Sequence, residues 1–289
     1  MLQSDIVLLE RLLRRPLFNN KKDFVEDKKK TSENKIKHVT PVTILHYIRL
    51  IYRSAMLVML VVYYIISRIH GRATITDKLE ETPAVILIVW VVFLVEMILR
   101  FFPSRLESPG CQKQFPGNYI KSGKTDIRIQ DNNSAVLILL IWILFNMIFG
   151  ALHMAGIFDD GIMLILCSVY SVCDVICILF FCPFQTWFMK NKCCSVCRIY
   201  NWDYAMMFTP LFFVSQIYLR GLLVLSLALM IRWELVFYRH PERFSENTND
   251  YLKCANCTEK LCTHKKQLLR LWKQIEAYTA QRVKKLQKH

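Results

Sequence analysis

Long, nearly uncharged runs fill the middle of the chain and leave it few possible folds. Residues 42–67, 84–102, 135–158 and 162–182 are each apolar over 18 residues or more. At 1.5 Å per residue, that length crosses a hydrocarbon core of about 30 Å. A soluble domain would break its apolar residues into shorter periodic runs. Inside a bilayer every backbone polar group must find a partner within the protein, so runs of this kind are helices. The expected fold class is therefore all-α, a polytopic helical membrane protein. Residues 1–40 lack a compact apolar core followed by a small-residue cleavage site, so no cleaved signal is expected there.

The last apolar stretch, 204–238, has two readings. It is one long helix with Arg220 at mid-membrane facing Asp174, or two helices, 204–219 and 221–238, meeting at Arg220-Gly221. Charge separates them. With six crossings, 34 of the 38 Lys and Arg residues fall on the side of the termini. With five, the basic C-terminal tail moves to the opposite side and most of that bias disappears. The positive-inside rule favours six, with both termini cytoplasmic in a plasma or inner membrane.

The flanks are basic, and the net charge is +15. Residues 1–40 hold a short amphipathic helix and then a charged linker. Residues 240–289 hold a Cys/His cluster and a helix in which Leu268, Trp272, Ile275, Val283 and Leu286 recur on one face. Such helices suit an anionic lipid surface. Pairing with a second copy or another membrane protein is the other reading of the tail. Nucleic acid is a weaker partner, because no recognition module accompanies the charge.

Eleven cysteines are many for such a chain. Cys167, Cys173 and Cys177 lie inside the fourth apolar block, where a thiol behaves as a small hydrophobe. Cys182, Cys193, Cys194 and Cys197 fall within 16 residues of one loop, and Cys254, Cys257, Cys262 and His264 follow the last apolar block. Six crossings put both groups on the cytoplasmic face, where disulfides are disfavoured and metal ligation or thiol chemistry is favoured. Cys254-x2-Cys257 with Cys262 and His264 offers a Cys3His set for zinc. In the loop, Cys194-x2-Cys197 is the chelating pair, with Cys182 or Cys193 as a third ligand. Cys182-Pro183 resembles the end of a ferredoxin motif, but the preceding Cys-x2-Cys-x2-Cys run is missing, so iron–sulfur is the weaker cofactor reading. The two groups form either two sites or one that pins the tail to the loop.

Intramembrane polar residues are the other candidates. Glu96 and Asp174 must face the bundle interior, and His153 and Asn146, with Gln216, are expected to join them in one polar patch. Arg49 and Arg53 are expected to snorkel to the interface, and Glu96 to meet Arg100 one turn on. No P-loop, GxSxG, HExxH or dinucleotide fingerprint is present, so no enzyme class is indicated. Three functions remain: a membrane protein with a cytoplasmic zinc or iron–sulfur site for redox or sensing, a structural or assembly protein stapled by zinc, and a transporter using Glu96 and Asp174.

Overall fold

The computed structural model describes residues 40–69, 83–128, 132–191, 193–214, 216–253 and 256. Both predicted amphipathic helices, and Cys254, Cys257, Cys262 and His264, lie outside the described residues. Within them the fold is helical, and the only sheet-like pairing is an isolated bridge between Lys121 and Asn249. Four helices are long and apolar enough to cross a membrane: α1 (Pro41–Ile69), α4 (Asn132–Met154), α5 (Asp160–Leu179) and α7 (Ile217–Arg239). The chain is accordingly read as an integral membrane protein. Between them come α2 (Pro83–Leu99), at 17 residues just short of that length, the one-turn α3 (Pro109–Gln112) and the short α6 (Asp203–Phe208).

Helix ends follow local chemistry. Pro41 and Pro83 open α1 and α2, where a missing N–H costs nothing. Asp159 caps α5 by accepting from Ile162 N at 2.9 Å. After α4, Gly156 takes φ +74°, a left-handed turn glycine adopts without strain, so α4 ends earlier than 158.

The division of 204–238 departs from expectation. Arg220 and Gly221 sit inside the first turns of α7, which runs unbroken to Arg239. A glycine near a helix end costs about 1 kcal/mol relative to alanine and does not stop the helix. The break falls earlier, after Phe208-Thr209-Pro210. Pro210 has no N–H to donate and its ring crowds the preceding turn, so α6 ends at Phe208 and a 3₁₀ turn, Thr209–Phe212, follows. The predicted segment 204–219 is therefore a short descending arm, not a helix of spanning length. Its end packs tightly: a Cβ on Gly150 of α4 would lie 2.2 Å from the Phe213 ring.

α1 packs chiefly along α5, and α7 against α6 and α2. The core between them includes Phe93, Met97, Met163, Tyr204, Leu211 and Val214. The outer faces of α1 and α4 expose Ile48, Ile51, Met59, Leu140, Leu144 and Met147, a surface suited to lipid.

The segments 100–128, 180–202 and 240–253 meet at one end of the bundle. Lys113 Nζ donates to Ser195 O, Arg243 Nη1 to Gln114 O, and Asp250 N to Ile120 O. These form a cap. α2, α5 and α7 run toward it, while α4 and the 203–214 arm run away from it.

Candidate functional site

Two constellations lie at this end. The first is a buried ion network centred on Glu96 of α2. Arg49 and Arg53 are one helical turn apart on α1 and point to the same side. Arg49 Nε donates to Glu96 Oε1 at 2.9 Å and its Nη2 to Glu107 Oε1 at 2.7 Å. Arg53 Nη2 donates to Glu96 Oε2 at 2.7 Å, and its Nη1 to Asp174 Oδ2 at 3.1 Å and Ser171 O at 3.0 Å. Tyr52 and Tyr204 hydroxyls add a bond to each Glu96 oxygen, at 2.6 and 2.9 Å. Arg100 turns away from Glu96 and takes Asp203, at 2.6 and 2.5 Å to its two oxygens. Its guanidinium stacks 4.4 Å above the Tyr204 ring.

Four expectations are corrected here. Arg49 and Arg53 do not snorkel: they are 3% and 1% exposed and tie three elements together. Glu96 meets these two arginines, not Arg100. The single polar patch does not form either. Asn146 donates to Trp142 O in its own helix, and His153 lies at the opposite end of the bundle, 3.0 Å from Phe158 O and 3.3 Å from Asp160. Arg220, the other proposed partner of Asp174, donates to Val214 O.

Chemically the network is closed. Glu96 accepts four hydrogen bonds, the full capacity of a carboxylate. No lone pair remains to receive a transported cation. His46, 1% exposed and one turn before Arg49, has ring nitrogens without a hydrogen-bond partner among the described residues.

The second constellation is the cysteine loop, which is anchored to the bundle. Lys113 is fully buried, and its amine donates to Ser195 O at 2.9 Å and Cys197 O at 2.8 Å beneath the Trp233 and Phe244 rings. Burial pulls this amine down to about 7, against the nearby Cys197 thiol, which raises it. Arg198 forms a two-pronged ion pair with Glu234 of α7 and lies 3.5 Å over the Phe237 ring, while Trp202 Nε1 also donates to Glu234 at 2.7 Å. Trp233 Nε1 returns a bond to Arg198 O at 2.9 Å.

The loop thiols fall into two sets. Cys193 and Cys197 are buried, and burial pushes Cys197 up to about 12, with Lys113 opposing the rise. Cys182 and Cys194 are half-buried and share Gln185, whose N–H donates to Cys182 Sγ at 3.4 Å and whose Oε1 accepts from Cys194 Sγ at 3.0 Å. Cys194–Val196 forms a 3₁₀ turn closed by Cys197 N on Cys194 O, so the Cys-x2-Cys pair sits on one tight turn. Among the described residues no three His, Cys, Asp or Glu side chains are arranged around a metal position.

No known relative guides the assignment. No protein-family model matches the chain, and neither the curated proteins nor the solved structures give a match.

Sequence reasoning missed Glu107, Asp203, Lys113 and Glu234. The usable signal for the first two was charge balance: Arg49 and Arg53 on one helical face inside a span, and Arg100 at the end of the next, require carboxylates opposite them. For Lys113 the sequence carried none, because it lies among ordinary polar neighbours, whereas Glu234 stands between Trp233 and Leu235 in an apolar run and was itself a sign of a buried cationic partner.

Proposed function

We propose that this chain is an integral membrane protein with six membrane-embedded segments whose cytoplasmic cap binds a metal ion through cysteine, with zinc the fitting ion and an iron–sulfur centre the other. The observation that carries this reading is the position of α3. It packs on the Cys194–Val196 turn and also on Asp250–Leu252. The segment leading to Cys254, Cys257, Cys262 and His264 therefore departs beside the loop that carries Cys182, Cys193, Cys194 and Cys197. A metal shared by the two groups would clip the tail to the cap and close a long stretch of chain with one strong link. The basic cap and tail suit the cytoplasmic leaflet and its anionic lipids.

The transporter reading has less support, since both Glu96 and Asp174 are engaged by arginine. Metal analysis of the purified full-length protein tests the cap: one zinc is expected, reduced by Cys194→Ser and by Cys257→Ser. Unchanged metal content in both variants removes the proposal. Thiol labelling from each side of the membrane tests the sidedness, with Cys194 and Cys257 expected to label only from the cytoplasm.

A further inference from the structure

His153 sits in the last turn of α4 and Asp160 is the first residue of α5, at the end of the bundle away from the cap. The turn between them folds tightly onto the end of α4. Gly156 N donates to His153 O at 2.9 Å, and Ile157 N and Phe158 N both donate to Leu152 O, at 3.0 and 3.2 Å. The Phe158 ring stacks on Phe149 of α4 at 6.0 Å. The His153 ring is thereby set between two acceptors. Its Nδ1 is 3.0 Å from Phe158 O and its Nε2 is 3.3 Å from Asp160 Oδ1. The two side chains are 19% and 16% exposed, shielded but still open to proton exchange with solvent. On the α1 side the charged and titratable groups are Arg68 and Tyr64, 3.7 and 3.2 Å from Asp159 Oδ2, while Asp159 Oδ1 caps α5.

We infer that His153 and Asp160 form a pH-operated clasp between α4 and α5. A carbonyl oxygen only accepts, so the contact with Phe158 O places a hydrogen on Nδ1. An ionised carboxylate also only accepts, so Nε2 bonds Asp160 only when it carries a hydrogen too. The ring satisfies both partners as the imidazolium, and the bond to Asp160 is then charge-assisted. A neutral ring keeps the Phe158 bond and turns the Nε2 lone pair on the carboxylate, so attraction gives way to repulsion. The clasp is closed on the acid side and opens as pH rises. Histidine is the side chain whose ordinary charge change falls between about pH 5 and 8, so the step belongs to that range. What it moves is α4. The other contacts of this helix with the bundle include Trp142, whose Nε1 donates to Thr209 Oγ1 at 3.2 Å, and Gly150 against the Phe213 ring, while Leu140, Leu144 and Met147 are exposed on its outer face. Opening the clasp releases the far end of α4 from α5 and leaves those contacts as the pivot, a local charge change biasing one helix contact.

The test is hydrogen–deuterium exchange of the full-length protein in detergent, at about pH 5.5 and about pH 8, corrected for the intrinsic pH dependence of amide exchange. In wild type the Gly156, Ile157 and Phe158 amides are expected to exchange about tenfold more slowly at the acid pH, the worth of one hydrogen bond to a charged group. His153→Phe is expected to exchange fast at both pH values, without the step. Because a phenylalanine can loosen the turn by misfit alone, Asp160→Asn gives a second variant that keeps the ring, its Phe158 bond and the Asp159 cap. An asparagine amide can donate to the neutral ring, so there the step is expected to vanish or reverse. Equal protection of wild type at both pH values overturns the inference. A step of the wild-type sign and size that survives in either variant overturns it too, since neither the imidazolium nor its carboxylate would then be the switch.

Discussion

α1 is tied to the rest of the bundle by ion pairs at two places, and the two are built differently. Toward the cap, Arg53 is 1% exposed and holds Glu96, Asp174 and the Ser171 carbonyl. About 22 Å further along the helix, at 1.5 Å per residue, the Arg68 side chain is 65% exposed and its nearest Asp159 oxygen is 3.7 Å away. Both are Arg–Asp contacts, but only the first is dry and geometrically saturated. A buried pair is costly to break because the abandoned charge stays in a poor solvent, whereas an exposed pair trades one wet partner for another. The cap end of α1 should therefore act as a lock and the far end as a loose fastening.

The largest effect expected is at Arg53. Arg53→Met strands Asp174 and removes one of the two charges on Glu96, a loss of about 3–5 kcal/mol for a broken buried pair. In detergent the variant should lose its monodisperse peak or melt far below wild type. Arg53→Lys should not restore it, because one ammonium cannot serve Glu96 and Asp174 in the forked geometry that guanidinium provides. If Arg53→Lys melts like wild type, the network is not a lock.

Lys113 comes next and carries a pH signature. Its amine is held near 7 in the fold by burial, so between that pH and the ordinary lysine range the unfolded chain binds more protons. Stability should then rise with pH from about 7 upward. Cys111 acts in the opposite sense: burial pushes its thiol to about 12, so above the free-thiol range the unfolded chain loses its proton first and stability falls. Thermal unfolding against pH should show a maximum between these limits. Lys113→Met, which leaves the Ser195 and Cys197 carbonyls without their donor, should cost about 1–3 kcal/mol. It should also flatten the rise while keeping the fall. A rise that survives in Lys113→Met would assign it to another group.

The lock and the fastening also differ in how far they could be read from sequence. The apolar blocks fixed the positions of α1, α2, α4 and α5 to within a few residues, because periodicity and length suffice for that. Pro210 was the legible sign of the break in 204–238, and the charged Arg220-Gly221 pair drew attention away from it. Arg49 and Arg53 show depth in the sequence but not what lies opposite. Their partners Glu107 and Asp174 come from a loop and from a helix more than a hundred residues away, and only tertiary packing brings them together.

At the far end the expected losses shrink. Asp159 serves mainly as the cap of α5, so Asp159→Ala should cost about 1 kcal/mol, the usual value of a lost N-cap, read as a modest drop in the melting midpoint. Asp159→Asn, which can still accept from Ile162 N, should recover most of it. Recovery by Asn would show that the loss comes from the cap and not from the pair with Arg68.

Arg68→Ala should do least of all. Its guanidinium rests over the Tyr64 ring at 5.7 Å, donates from Nε to the Tyr64 hydroxyl at 3.3 Å and reaches Asp159 only loosely. Side-chain entropy regained on truncation offsets much of what an exposed pair of this length contributes. The melting midpoint should match wild type, and adding salt should shift both proteins alike. A clear loss at Arg68, abolished by salt, would mean that this end of α1 is held electrostatically as well. The contrast with Arg53 would then be one of degree.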